Sequence, residues 1–293
     1  MPTTKSIYDK RKRPLDAFAH SIIYFSASIS ILLLAGIVGY VTYRGISSIS
    51  WSFLTTVPSA IKGTFGIAGN IVNTLYIIVI TLIIAVPFGV GAAIYLNEYA
   101  KPGRLVSLIE FTTETLAGIP SIVFGLFGYV FFGITLGLGY SILTGAFTLS
   151  LMVLPLITRN TQEALKTVPV SYRSGALGIG ATKWYMIRTI LLPSAMPGII
   201  TGIILSIGRI VGESAALLFT AGSGYLLPKL GQYGEGLFEK VVQPGGTLTI
   251  QLFLSMEKAQ YDAAFGIALV LLVIVFGINM LTKYLSGKFN VSK

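Results

Sequence analysis

Long apolar blocks alternate with shorter polar connections along most of the chain. Six blocks can be delimited, at approximately 18–43, 70–96, 105–133, 140–158, 197–221 and 263–283. Each holds about 19 to 29 residues, enough at about 1.5 Å per residue to cross about 30 Å of hydrocarbon. Prolines inside the second, third and fourth blocks (Pro87, Pro120 and Pro155) predict kinks in those helices. The pattern predicts an all-α polytopic membrane protein with six transmembrane helices.

The composition supports this class and excludes several kinds of site. Charged residues make up 11% of the chain and hydrophobic residues 54%, whereas soluble proteins carry about 25% charged residues. With no cysteine and one histidine, the chain lacks the ligands for disulfides, thiol chemistry, iron–sulfur clusters or multi-histidine zinc sites. We therefore expect no metal site and no cofactor, and we assign no catalytic residue.

The basic residues fall mainly on one side of the predicted membrane. That side holds the N-terminus, the 97–104 turn, the 159–196 loop and the C-terminus, with Lys5, Lys10, Arg11, Lys12, Arg13, Lys101, Arg104, Arg159, Lys166, Arg173, Lys183, Arg188, Lys283, Lys288 and Lys293. Since loops rich in Lys and Arg stay in the cytoplasm, both termini are predicted to be cytoplasmic and the segment 222–262 external. The net charge of +10 then reflects a multi-pass protein of the cell membrane in contact with lipid, not a nucleic-acid partner.

The fifth block contains two charges, in the stretch "GRIVGESAALL" at 208–218. If the block is one helix, Arg209 and Glu213 are four residues apart and share a face with the small residues Gly198, Gly202, Gly212 and Ala216. The opposite face carries Ile200, Ile203, Ile204, Ile207, Ile210 and Val211. We expect the small face to meet protein or water and the aliphatic face to meet lipid.

A charge pair within a span suggests a pathway for an anion. Placing arginine at the bilayer centre costs about 2.5–3.5 kcal/mol on insertion scales, and charges kept there usually serve function. A guanidinium suits an oxyanion such as phosphate or sulfate, and Glu213 would partly neutralise Arg209 between substrate visits. Two alternatives stay open: a structural lock, or a span shifted so that both charges lie near an interface.

The 159–196 loop is long for a connection between spans and contains apolar residues among basic ones. A merely solvated loop would not need Leu177, Ile179, Trp184 and Ile187, and Gly178 and Gly180 can supply a tight turn. A short amphipathic element here could dock in a groove of a soluble partner or lie on the lipid headgroups.

The same loop resembles a known family. Ser174-Gly175-Ala176, Gly180, Ile190 and Leu192-Pro193 match the spacing E-A-A-x3-G-x9-I-x-L-P of the permeases of binding-protein-dependent ABC importers. Within that family the chain is most similar to the A-type permease subunit (PstA) of phosphate-specific transport systems over residues 66–285. The stretches that carry this are "GATKWYMIRTILLPSAMPGIITGIILSIGRIVGESAALLFTAG", "AVPFGVGAAIYLNEYA", "ETLAGIPSIVFGLFG" and "TLTIQLF".

The resemblance implies an architecture and partners. It implies a type I (MetI-like) bundle, divided into a basic N-terminus, first helix and external loop (1–66), a permease core (67–285) and a cytoplasmic tail (286–293). It also implies a C-type permease partner, two ATPase subunits, an external phosphate-binding protein and inorganic phosphate as substrate. The chain itself lacks the phosphate-binding motif G-x-x-x-x-G-K-[ST], so ATP is expected to bind to the separate subunit.

The resemblance also implies residue roles. Arg209 and Glu213 would take part in phosphate translocation, and the loop would form a helix that couples to the ATPase. The implied coupling residues are Ser174, Gly175, Ala176, Leu177, Gly178, Gly180, Ala181 and Trp184. Because Ser174 and Gly175 stand where the family pattern has Glu and Ala, the family's carboxylate contact to the ATPase is not transferred.

Several points remain open on the sequence alone. Glu110 and Glu114 could stabilise the N-terminus of the third helix through its dipole, or they could contact the basic residues of the 159–196 loop. A secondary anion transporter is an alternative, although the halves show no persuasive internal repeat. An intramembrane enzyme would need a nucleophile with its base, paired acids or a metal cluster. Because one histidine and no cysteine leave few options, we expect a transport subunit rather than an enzyme. Another oxyanion, such as sulfate or molybdate, would fit the same chemistry.

Overall fold

The structure, a computed structural model, describes residues 14–58, 65–228 and 236–288. These residues form helices joined by loops, which confirms the all-α class. In chain order the helices are α1 (Pro14–Gly45), α2 (Trp51–Thr55), α3 (Ala68–Ile94), α4 (Arg104–Gly118), α5 (Ser121–Gly128), α6 (Ile142–Thr167), α7 (Val170–Gly178), α8 (Lys183–Met186), α9 (Leu192–Gly212), α10 (Ala215–Thr220), α11 (Leu248–Glu257) and α12 (Tyr261–Lys288). The basic cluster from Lys5 to Arg13 lies outside the described residues.

Five helical stretches of the described residues are long and apolar enough to cross a membrane. They are Phe18–Ser48, Ala68–Tyr99, Ile142–Thr167, Lys183–Gly212 and Tyr261–Tyr284. The bent pair α4–α5 gives the sixth if it is counted as one span. The chain is therefore a multi-pass membrane protein.

The third span is broken rather than merely kinked. α4 and the helical stretch that begins with α5 meet at 103°, with Ile119 and Pro120 in extended conformations between them. Proline disfavours helical geometry in the residue before it and has no N–H to continue the ladder. A π-helical turn, Tyr129–Thr135, continues α5, and Gly137 and Gly139 then reverse the chain with φ of +72° and +58°. The sequence pattern predicted one helix here, kinked at Pro120.

The core is built around α6, the most buried of the spans, which packs between α3 and α9. Leu149, Val153 and Ile157 of α6 are at most 1% exposed. A methyl group added at Gly198 or Gly202 of α9 would lie 2.6 Å from the Cβ of Ala164 or Asn160 of α6. These two glycines therefore allow the close helix contact that small residues provide in membranes.

The prediction that the aliphatic face of the fifth span meets lipid is wrong. Ile207, Ile210 and Val211 are 2–4% exposed and belong to the core, whereas Gly208, Arg209 and Gly212 are exposed. Lipid tails are as apolar as a protein interior, so hydrophobicity does not decide which face of a membrane helix turns inward.

α1 stands apart from the bundle. Residues 18–37 are all exposed, and the helix meets α12 near its C-terminal end. There Gly45 is buried against the backbone of Phe265, the ring of Tyr40 packs edge-on to that of Phe265 at 5.6 Å between centroids, and the guanidinium of Arg44 lies 5.5 Å from the same ring centroid.

The predicted 159–196 loop is largely helical. α6 continues to Thr167, and α7 follows after Val168 and Pro169. Gly180, with φ of +85°, makes the predicted turn into α8, whereas Gly178 is the last residue of α7. A π-helical turn, Ile187–Leu191, joins α8 to α9.

Candidate functional site

The fifth predicted block breaks at Glu213. α9 ends at Gly212, and Glu213 has extended backbone angles (φ −83°, ψ 123°) before α10 starts at Ala215. Its Oε1 accepts a hydrogen bond from the N–H of Ala216 at 3.0 Å, and its carbonyl accepts one from the hydroxyl of Thr249 at 2.9 Å. A carboxylate at a helix N-terminus satisfies a free donor and complements the helix dipole. Glu213 therefore stabilises the start of α10.

The predicted pairing of Arg209 with Glu213 is absent. The two residues do not lie on one continuous helix, and the ion pairs of the described chain join other residues. Arg209 is exposed, and its guanidinium has no hydrogen bond or ion pair to any residue that the structure describes. Its donors are thus available to a ligand.

Arg209 lines a pocket of about 310 Å³ between α4, α6 and α9. The other lining residues are Leu96, Glu110, Thr113, Glu114, Ala117, Met152, Pro155, Leu156, Arg159 and Gln162. One lining residue, Ala117, lies in the last turn of α4 before the break between α4 and α5. The guanidinium is therefore placed among polar side chains at the edge of a cleft.

The charges of this pocket are two carboxylates and two guanidinium groups. Nη1 of Arg159 is 2.7 Å from Oε1 of Glu114, and its Nε is 3.3 Å from Oε1 of Glu163. Glu114 thus contacts a basic residue of the 159–196 segment, one of the two alternatives that the sequence left open. The other is wrong, because Glu110 and Glu114 lie beyond the first turn of α4.

The guanidinium of Arg209 is the group of this pocket that can bind an anion, although the carboxylates of Glu110 and Glu114 balance the two guanidinium charges. One guanidinium is held by carboxylates and the other has no partner in the described chain, so an oxyanion would find a planar set of charged donors. No group of three His, Cys, Asp or Glu within 14–58, 65–228 and 236–288 is arranged to hold a metal.

The predicted coupling residues lie on or beside α7, at the same end of α6 as Arg159. Ser174, Gly175, Leu177, Gly178 and Gly180 are exposed, Ala176 is buried and Ala181 is half-buried. Trp184 on α8 is 61% exposed. The hydroxyl of Ser174 donates to carbonyls of its own helix, those of Val170 and Ser171.

Apolar side chains stand out on this surface. Ile179 is 88% exposed, and Leu177 and Val170 are 50% and 74% exposed. Exposed apolar side chains outside the membrane spans indicate a surface that contacts another molecule.

A contact that the sequence did not predict lies beneath α7. Arg173 of α7 forms an ion pair with Glu98, in the π-helical turn Tyr95–Tyr99 that continues α3, at 2.9 Å. The residues are 75 positions apart, so no local pattern links them. The available signal was that Glu98 and Arg173, of opposite charge, lie in two segments that were both predicted to be cytoplasmic.

Comparison with known proteins adds a family match. Residues 85–290 match the family described as "Binding-protein-dependent transport system inner membrane component". The chain is 35% identical to a "Probable ABC transporter permease protein YqgI" of Bacillus subtilis, over 90% of this chain and 92% of that protein. It is 33% identical to a "Phosphate transport system permease protein PstA 2" of Mycobacterium bovis, over 85% of this chain and 81% of that protein.

Among solved structures, the fold is similar to that of a chain in the inward-facing MetNI methionine ABC transporter. The TM-score is 0.57 at 19% identity, over 76% of this chain and 94% of that one. This likeness confirms the predicted MetI-like bundle.

Proposed function

From the premise that the chain belongs to the family of binding-protein-dependent transport system inner membrane components, we propose that it is a transmembrane permease subunit of an ATP-driven phosphate importer. Relatives named as phosphate transport permeases cover most of its length. The observation that carries the proposal within the chain is the guanidinium of Arg209, without a partner in the described residues and at the edge of a pocket between spans.

Arg209 is the proposed contact for the translocated phosphate. A guanidinium offers two parallel donors to an oxyanion and keeps its charge at any physiological pH. Glu213 has a different proposed role from the one predicted. By holding the start of α10, it fixes the chain break that follows α9 and so the position of Arg209 one turn earlier.

The chain forms half of the proposed pathway. Gly208, Arg209 and Gly212 make an exposed strip on α9, and small residues permit close approach of another helix bundle. The proposed occupant of that side is a C-type permease in a heterodimer. An external phosphate-binding protein would deliver phosphate to the face opposite α7, and both termini would be cytoplasmic, as the distribution of Lys and Arg favours.

In this proposal the ATPase subunits act on the chain through α7. Two copies of a cytoplasmic ATPase subunit are the partners, and the exposed apolar residues Leu177, Ile179 and Trp184 would seat in a groove of one copy, in the helix-in-groove mode. ATP binding closes the ATPase pair and favours the outward-facing state, and hydrolysis resets it. ATP can drive the switch because it binds the two states with different affinity.

Reconstitution of the whole complex tests the proposal. The chain, its partner permease and the ATPase subunit would be co-purified, placed in proteoliposomes and supplied with the binding protein outside and ATP inside. We expect accumulation of labelled phosphate that depends on ATP and on the binding protein, with sulfate excluded. Equal import of sulfate would identify a different oxyanion permease. Phosphate movement by the chain alone, without an ATPase, would identify a secondary transporter.

A further inference from the structure

The ion pair between Arg173 and Glu98 differs from the other ion pairs of the described chain by its burial. The side chain of Glu98 is 5% exposed and that of Arg173 20%, whereas Arg159 and its two carboxylates are 55–64% exposed. Exposed pairs contribute little, because solvent screens them. Removing one partner of a buried pair is strongly destabilising, because the other charge is left uncompensated. This pair therefore fixes the relative position of two backbones.

The guanidinium of Arg173 joins three elements. Its Nε and Nη2 donate to Oε1 of Glu98 at 3.2 and 2.9 Å. Its Nη1 donates to the carbonyl of Val168 and its Nη2 to that of Leu165, both at 2.9 Å. These carbonyls lie at the C-terminal end of α6, where helices leave backbone acceptors short of donors; the carbonyl of Leu165 also accepts a bond from the N–H of Val168 at 3.3 Å. Arg173, Glu98, Leu165 and Val168, together the Arg173 clamp, thus tie α7 to the ends of α3 and α6.

α7 has few other attachments. Ala176 is its one buried residue, and it packs in the apolar cluster that includes Leu165, Met186 and Leu191. On the far side of the turn, the ammonium of Lys183 lies 4.9 Å from the ring centroid of Tyr99. Arg173 of α7 and Lys183 of α8 therefore both contact the same π-helical turn, Tyr95–Tyr99.

The two helices held by the clamp are walls of the pocket at Arg209. Leu96 lies in the same π-helical turn as Glu98 and lines the pocket. α6 contributes Met152, Pro155 and Arg159 to it. Single π-helical turns are rare and often occur at functional sites. A displacement of α7 that carried the clamp with it would move both walls.

We propose that the Arg173 clamp is the link through which displacement of α7 by the ATPase subunit moves α3 and α6, and so opens and closes the pocket at Arg209. The inference rests on the proposed function, because it assumes an ATPase beneath α7. Arg173 and Glu98 are positioning residues, which touch neither phosphate nor nucleotide.

Transport measurements on the reconstituted complex test the link. The variants are Glu98→Gln, Arg173→Gln and the double variant. Arg188→Gln is the matched control, since it removes an exposed arginine that neither lines the pocket nor belongs to the clamp. We expect the clamp variants to co-purify with the ATPase subunit and keep basal ATP hydrolysis, but to import at least tenfold less phosphate per ATP. The double variant should be no worse than the singles, because both remove one interaction. The control should match wild type.

Two results of this experiment would overturn the proposal. One is a wild-type ratio of phosphate to ATP in both single variants. The other is loss of the ATPase subunit in proportion to the loss of import, because the clamp would then serve only to hold the docking surface in place.

A distance measurement separates failure of the clamp from failure of the proposed substrate. The chain has no cysteine, so Ser171→Cys on α7 and Tyr95→Cys on the π-helical turn can carry the only two spin labels of this chain. In the assembled complex we expect the label distance to stay constant when ATP is added. With Arg173→Gln added, ATP should shift or broaden it. An equal ATP-dependent change with and without the clamp would overturn the proposal, whether or not the complex imports phosphate.

Discussion

Replacement of Arg209 tests the proposed pathway most directly. A hydrogen bond to a charged group contributes about 1.5–3 kcal/mol, and a guanidinium can give two to one oxyanion. Because Arg209 has no other partner in the described chain, Arg209→Gln would forfeit about 3–6 kcal/mol of interaction with the bound phosphate, which corresponds to about a 10²- to 10⁴-fold loss of import efficiency. Arg209→Lys keeps the positive charge but loses the two parallel donors of the guanidinium, and we expect it to lower import efficiency by about 10- to 100-fold.

The assay is the initial rate of labelled phosphate import into proteoliposomes over a series of phosphate concentrations. Co-purification of the partner permease and the ATPase subunit is measured in parallel, so that loss of assembly is not mistaken for loss of transport. The matched control is Arg188→Gln, which removes an exposed arginine of the turn Ile187–Leu191 that does not line the pocket. Its import should equal that of wild type.

The reasoning would be refuted if Arg209→Gln assembled normally and imported phosphate at a rate close to that of wild type. The pocket would then lie off the route of the anion, and the exposed guanidinium would serve the contact between the two permeases instead.

Three further predictions concern stability, each measured as the thermal unfolding temperature in detergent. In Gly125→Ala the new methyl carbon would lie 2.8 Å from the Cα of Ala216, so we expect about 1–3 kcal/mol of destabilisation. The control is Gly208→Ala, whose methyl group would have no atom within 4 Å. Equal unfolding temperatures of the two variants would contradict the close packing at Gly125. Glu213→Ala should cost about 1 kcal/mol by removing the acceptor at the start of α10, whereas Glu213→Gln keeps an acceptor; equal stability of the two variants would show that this bond contributes nothing. Burial lowers the pKa of Lys240, so protonation disfavours the folded state, and Lys240→Met should be more stable than wild type at pH 7. That advantage should shrink as the pH rises from the folded pKa toward the unfolded value of about 10.4, and an advantage unchanged at pH 10 would refute it.

The sequence was sufficient for the membrane class and the approximate spans, because apolar length is a property of each segment by itself. It was insufficient for the direction in which each span faces. Ile207 and Ile210 turn to the core and Gly208 away from it, since the membrane gives no hydrophobic preference for either side.

The breaks within spans were harder to predict for a different reason. Pro120 predicted a kink, but the angle of 103° between α4 and the helical stretch that begins with α5 depends on how α5 packs against α10 and α6. No proline marks the end of α9. There Glu213 leaves the helix because its carboxylate and carbonyl are satisfied by Ala216 and by the distant Thr249. Arg209 was found by its charge alone, whereas the Arg173 clamp required the tertiary structure.

The isolation of α1 has a consequence for how the membrane acts on this protein. Because residues 18–37 are exposed along their whole length, we expect the N-terminal part of α1 to adjust its tilt to the thickness of the surrounding bilayer, while Tyr40, Arg44 and Gly45 hold its C-terminal end against Phe265. Thinning the bilayer should therefore tilt α1 about its contact with Phe265 of α12, while the packing of α6 in the core stays unchanged.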